Sequence, residues 1–228
     1  MSRSTWAETA VAELEARLRA AGDPERALGM RRYMRDQFAF FGVPTPERRA
    51  ITRRVLDPLG SPSPGDLDAI GPLAWDVDER EMQYAAVDVL VRHVGIARPE
   101  LLDVVSVLVT TKSWWDTVDA LASNVVGPLV RRHPELVATL DDWIAGDELW
   151  LARTAILHQL GYGADTDVDR LCRYSLAWAS CTDFFARKAI GWALRQYART
   201  DPDTVRHFLA EHDDVLSQLT VREASKHL

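Results

Sequence analysis

The feature that most constrains this chain is a period. Setting Gln83-Tyr84-Ala85-Ala86-Val87 beside Thr117-Val118-Asp119-Ala120-Leu121, Ala152-Arg153-Thr154-Ala155-Ile156 and Ala186-Arg187-Lys188-Ala189-Ile190 brings four alanines into register. Ala86, Ala120, Ala155 and Ala189 are separated by 34, 35 and 34 residues. Self-similarity at such a spacing marks a repeat protein. An aromatic residue stands five positions before each of the last three alanines: Trp115, Trp150 and Phe184. Between these segments lie others that open on breakers or caps, at Pro99, Pro134, Asp167 and Pro202, so each unit reads as helix, short turn, helix. Arg49-Ala50-Ile51 is a weaker earlier copy. Two helices cannot close a core alone, so such units stack. The expected fold is all-α, an α-solenoid of HEAT-like helical pairs with a concave face, forming one repeat domain over 1–228. The period equals that of tetratricopeptide repeats, but their Trp, Leu-Gly and Tyr pattern is missing.

Local signals agree. Thr5 to Ala21 carries apolar residues at helical spacing and stops at Gly22. A second helical run begins near Asp23-Pro24, passes through Met30, Tyr33, Met34 and Phe38, and ends in Phe40-Phe41-Gly42-Val43-Pro44. Thr45 reads as an N-cap, with Pro46 at the first helical position before Glu47 to Leu56. Pro58 to Gly65 is the loop richest in breakers. The β-branched clusters Val104–Val109 and Val125–Val130 sit inside runs of helical spacing.

Composition narrows the function. A net charge of −7 argues against a generic polyanion binder, although nucleic-acid binding depends on where the basic residues lie. Met1 to Ala21 is charged and amphipathic, unlike a signal peptide, and no stretch resembles a membrane span. Cys172 and Cys181 match neither a zinc pattern nor a redox pair, which fits a reduced cytoplasmic setting. The six His show no metal-ligand spacing. Gly161-Tyr162-Gly163 lacks the third glycine of a nucleotide loop. No cofactor or metal is expected.

The candidate chemistry lies in Lys112-Ser113-Trp114-Trp115-Asp116-Thr117-Val118-Asp119. On a helix, Trp115 and Asp119 share a face, and an aromatic ring beside a carboxylate suits a cationic ligand. The same residues also fit an ordinary core tryptophan and a first-turn acid. In a solenoid the second helix of each repeat lines the concave face. Those helices hold Arg153, Arg187, Lys188, Arg195 and Arg199 with Trp115, Asp119 and Trp192, and Lys188, Trp192, Arg195 and Arg199 share one helix face. Upstream, Arg31, Arg32, Arg35, Arg48, Arg49, Arg53 and Arg54 form a second basic cluster, while the acidic excess lies elsewhere. Basic residues interleaved with aromatics suit a nucleic-acid backbone; a solvated helix face fits them equally well.

These motifs resemble the DNA alkylation repair enzymes built from HEAT-like repeats, the AlkD-type DNA glycosylases. The likeness rests on the octapeptide above, on Tyr33-Met34-Arg35 with Phe41-Gly42-Val43-Pro44, and on Trp150 to Leu157. Phe184 to Arg195 and the closing Leu216-Ser217 and Arg222 to His227 extend it over nearly the whole chain. The resemblance implies excision of cationic N3- or N7-alkylated purines from duplex DNA, by a monomer, without drawing the base into a pocket. It implies Trp115, Asp119 and Trp192 as the catalytic residues and Arg153 as a DNA-backbone contact. Tyr33, Lys112, Lys188 and Arg195 are expected to touch DNA as well.

The chemistry suits these residue types. A base alkylated at N3 or N7 is cationic and leaves as a neutral molecule, so no general acid is needed. The sugar left behind is oxocarbenium-like, and Asp119 can stabilise it and activate the attacking water. The alternative is a non-catalytic solenoid that binds DNA or a protein. Asp119 separates the two, because a carboxylate facing phosphates gains nothing for binding alone.

Overall fold

A computed structural model describes residues 5–228; the first four residues of the Met1 to Ala21 stretch lie outside them. Among the described residues the elements are helical, with one isolated parallel bridge between Ala39 and Glu79. The fold is all-α. The chain divides into two compact units, 1–112 and 113–228. No helix among the described residues is long and apolar enough to cross a membrane.

The first unit contains α1 (Thr5–Ala20), α2 (Pro24–Tyr33), α3 (Thr45–Leu56), α4 (Pro64–Trp75), α5 (Arg80–His93) and α6 (Leu101–Thr110). Helix α1 buries Ala7, Ala10, Val11, Leu14 and Leu18, a stripe at i, i+3, i+4, i+7 and i+11 that packs on α3, α4 and α5. Helix α2 starts where the sequence places it: the Asp23 carboxylate accepts from the Glu25 and Arg26 N–H groups, and Pro24 opens the first turn. It stops at Tyr33, short of the expected Phe38, because Arg35 and Asp36 adopt φ of 54° and 57°. Thr45 is the first residue of α3, not its cap. The loop from Pro58 is shorter than expected, because Ser63 and Asp66 form a capping box that starts α4 at Pro64. The turn before α3 closes on Glu81, whose buried carboxylate accepts from the Phe41, Gly42 and Val43 N–H groups at 3.1, 2.9 and 3.0 Å. Gly42 is required there: its φ is 92°, and a Cβ would lie 2.0 Å from the Asp23 carbonyl oxygen.

The second unit contains α7 (Trp115–Leu121), a π turn (Ala122–Val126), α8 (Gly127–Arg132), α9 (Val137–Ala145), α10 (Leu149–Leu157) and α11 (Val168–Ala177). It ends with α12 (Phe184–Tyr197), α13 (Pro202–Glu211) and α14 (Gln218–Ala224). The π turn has a cause in Pro128, which has no N–H for Asn124 and would clash with its carbonyl; one wide turn absorbs the misfit. Helix α10 packs against α7, α9, α11 and α12, and α12 packs on α14. Ala155 and Ala189 are fully buried in this series, Ala86 is buried in the first unit, and Ala120 is partly exposed.

The sequence period reappears in the bonding of each unit. In the first, the Trp75 indole donates to the Leu108 carbonyl, 33 residues away, at 3.1 Å. In the second, the Trp178 indole donates to the Ile144 carbonyl, 34 residues away, at 3.0 Å. Tyr174 reaches Asp141 across 33 residues, and Tyr162 reaches the Gly127 carbonyl across 35. Residues one period apart therefore lie side by side.

Candidate active site

The same period builds the site. Asp119 on α7 and Arg153 on α10 are 34 residues apart and form a two-pronged ion pair: Nε to Oδ1 at 2.7 Å and Nη2 to Oδ2 at 2.8 Å. Arg153 Nη1 donates to the carbonyl of Phe185, in the first turn of α12. One guanidinium thus ties three helices together. Local caps fix the levels at which they meet: Glu148 accepts from the Leu151 N–H at the start of α10, and Asp183 accepts from the Phe185 N–H at the start of α12.

Both partners are buried, Asp119 with 8% of its surface exposed. Burial pushes the Asp119 carboxyl above the usual carboxylate range, and the Asp116 charge adds to this, while the Arg153 guanidinium opposes it. The fork-to-fork contact favours the charged carboxylate in an environment that disfavours charge. It takes one lone pair from each oxygen and leaves the others for a further partner.

An aromatic wall stands beside this pair. Trp114 and Trp150 each pack on Phe185, with ring centroids 5.0 and 5.1 Å away, and Trp114 lies 6.4 Å from Trp150. The Arg153 guanidinium lies 5.9 Å from the Phe185 ring centre. Trp150 belongs to the repeated register of aromatics, Trp114 and Phe185 each adjoin a member of it, and Phe184 packs edge-on against Phe185 at 5.5 Å. Trp114 is the extended residue before α7 (φ −161°, ψ 158°), so its side chain leaves the chain in a different direction from that of helical Trp115. Trp115 opens α7, is partly buried, and lies one turn before Asp119.

Trp192 is also partly buried, two turns after Phe185, or about 10 Å along α12. Phe185, Lys188, Trp192 and Arg195 share one helix face. Arg199 falls beyond the end of α12. Lys188 and Arg195 both pair with Glu223 of α14. Sequence reasoning missed Glu223 as a partner; its one signal was its place three residues before Lys226. Lys112, at φ 50°, bonds within the first unit, its ammonium donating to the Val77 carbonyl and Asp78. Tyr33 is exposed at the end of α2, also in the first unit. The structure thus joins Asp119 to Arg153, and Lys188 to Arg195 through Glu223. Among the described residues no set of three His, Cys, Asp or Glu side chains converges as a metal site.

Comparison with known proteins follows the same lines. No curated protein matches the chain. A solved structure described as a predicted DNA alkylation repair enzyme from Enterococcus faecalis is 34% identical, with a TM-score of 0.81 over 91% of this chain and 96% of that one. A crystal structure from Streptococcus mutans UA159, at 18% identity and a TM-score of 0.60, covers 77% of this chain and 90% of its own, and shares the fold. The family model for DNA alkylation repair enzymes matches residues 14–228. A chain matched over nearly its whole length, and aligned so closely with that Enterococcus structure, belongs to the DNA alkylation repair enzyme family.

Proposed function

We propose that this protein is a monofunctional DNA glycosylase, acting as a cytoplasmic monomer on cationic N3- and N7-alkylated purines in duplex DNA. The observation that carries the reading is a buried carboxylate, Asp119, held on both oxygens by Arg153 one helical turn from Trp115. A structural ion pair needs no aromatic neighbour and gains little stability from burial. A site that must stabilise positive charge needs a carboxylate kept ionised and fixed, because preorganised charge costs no reorganisation during the reaction.

In this reading the bond from C1′ to purine N9 breaks and its electron pair leaves with the alkylated base, which becomes neutral. The sugar carries the positive charge. The remaining lone pairs of Asp119 face that charge and orient a water, whose oxygen bonds C1′ and whose proton passes to the carboxylate. Trp115 and Trp192 present π faces to the cationic nucleotide, worth about 0.5–2 kcal/mol each. Arg153 has three of its five donors engaged, so a backbone phosphate would take the remaining two. Tyr33, Lys112, Lys188 and Arg195 contact the backbone, and residues 1–228 act as one repeat domain. The base stays in the duplex instead of entering a pocket.

A lesion panel at fixed sequence tests this reading: N3-methyladenine, N7-methylguanine, one bulky cationic N7 adduct, and uracil. Both methylated purines and the bulky cation should be released, and uracil, a neutral base, should not. Efficient uracil release would overturn the charge argument. Rejection of the bulky cation alone would point to a closed pocket, where overfilling costs about 1–3 kcal/mol.

A further inference from the structure

Three cations converge on one buried carboxylate in the second unit. Lys226 Nζ donates to both oxygens of Glu223, at 2.9 Å to Oε1 and 2.8 Å to Oε2. Lys188 Nζ lies 3.0 Å from Oε1, and Arg195 Nη1 lies 3.4 Å from Oε2. Lys188 and Arg195 come from α12, one turn to either side of Trp192. Helix α14 approaches this closely because residue 191 is glycine: a Cβ there would lie 2.6 Å from the Glu223 Cβ and 2.9 Å from the Thr220 carbonyl oxygen.

The charge count separates a tether from a site. Neutralising one buried carboxylate needs one cation, and here three are gathered, leaving a local surplus of two positive charges. Their side chains keep 34%, 24% and 46% of their surface, against 7% for Glu223, so solvent and ligands can reach the cations while the carboxylate stays behind them. A carboxylate has about four lone-pair sites, far fewer than the N–H donors these three groups carry. The hydrogen bonds and charges of Lys226 and Lys188 outweigh burial and hold the Glu223 carboxyl down to about 2, so the anion persists at every working pH.

We infer that Lys188, Arg195 and Lys226, templated by Glu223, form a phosphodiester-binding site beside Trp192. Glu223 and Lys226 are new to the interface, Glu223 as a positioning residue and Lys226 as a contact. The inference rests on the reading of this protein as one that acts on DNA, but its test needs no base release. Without Glu223, three like charges within a few ångströms of one another repel and separate, so the convergence of their donors is lost.

The test is binding of the folded full chain to an undamaged duplex across a salt series. Lys188→Gln, Arg195→Gln and Lys226→Gln should each flatten the slope of log affinity against log salt by about 0.9. Glu223→Gln is the sharper variant. It adds one unit of net positive charge, so charge alone predicts tighter binding, whereas templating predicts weakening of threefold or more. Tighter or unchanged binding by folded Glu223→Gln, or unchanged slopes in the three cation variants, would overturn the inference. If circular dichroism shows Glu223→Gln unfolded, the Lys226→Gln slope decides alone. Inorganic phosphate at matched ionic strength should displace the duplex no better than chloride; stronger displacement would make this a free-phosphate site and overturn the backbone assignment. Base release by the wild-type protein is scored separately, so a protein that binds as described but releases nothing would refute the glycosylase reading and leave this site standing.

Discussion

Each unit of the molecule contains a buried arginine bonded to an aspartate, and the two pairs are built differently. In the first unit Arg48 Nη1 meets Asp88 Oδ2 at 2.8 Å, and the exposed Arg49 shares the same oxygen at 3.5 Å. The cation is buried there, against the Tyr84 ring, while the Asp88 side chain remains 28% exposed. Burial lowers the Arg48 guanidinium from its ordinary value. In the second unit Arg153 engages both oxygens of Asp119, and the carboxylate is the group whose affinity for a proton burial raises. The first arrangement ties α3 to α5 and leaves its acid in water. The second removes an acid from water and fixes it, which stability does not require and chemistry on a cation does.

Cutting each pair at its arginine should affect the two units unequally. Arg153→Met leaves Asp119 buried without its partner and should cost about 3–5 kcal/mol. Arg48→Met leaves an Asp88 that water and Arg49 still solvate, and should cost about 1 kcal/mol. Denaturant melts of the two variants measure the difference, and equal costs would erase the distinction between tether and site.

Acid acts on a buried ring of the second unit. His158, in the second unit, is fully buried; its Nδ1 faces the Ala155 carbonyl at 2.6 Å, and Nε2 has no partner among the described residues. Burial lowers the ring to about 4 from 6.5. The unfolded chain therefore takes up a proton first as pH falls, so stability present above about 6.5 is lost progressively down to about 4. The loss is on the order of 3 kcal/mol. His158→Phe should flatten that part of the stability profile, and an unchanged slope would place the acid sensitivity elsewhere. A smaller effect is expected at Gly191, where alanine would press Glu223 and Thr220 away and cost about 1–3 kcal/mol, seen as a lower melting temperature.

Much of this was legible in the sequence because it is periodic or local. The four alanines announced the spacing that sets Asp119 beside Arg153, and Asp23, Asp167 and Asp201 cap helices as side chains of their type do. What stayed hidden depends on direction and distance. That Trp114 joins the aromatic wall turns on its own extended backbone angles. The end of α2 depends on two residues in left-handed conformations that nothing in Met34 to Asp36 demands. The burial of Arg153 also stayed hidden, since it follows from Asp119 lying one repeat away. Glu223 looked like one acid in a basic segment, since only the close packing of α14 at Gly191 brings Lys188 and Arg195 to it.

The central claim is that Asp119 is held for chemistry and not for stability. Single-turnover release of base from an N7-methylguanine duplex, by wild type and Asp119→Asn at saturating protein, tests it most directly. Wild-type release should fall on the acid side with a midpoint above the ordinary aspartate value of about 3.9, since protonation of a carboxyl raised by burial removes the charge. Asp119→Asn should fold, bind duplex, and release base about 100-fold more slowly or worse. Release by the variant at close to the wild-type rate would contradict the account.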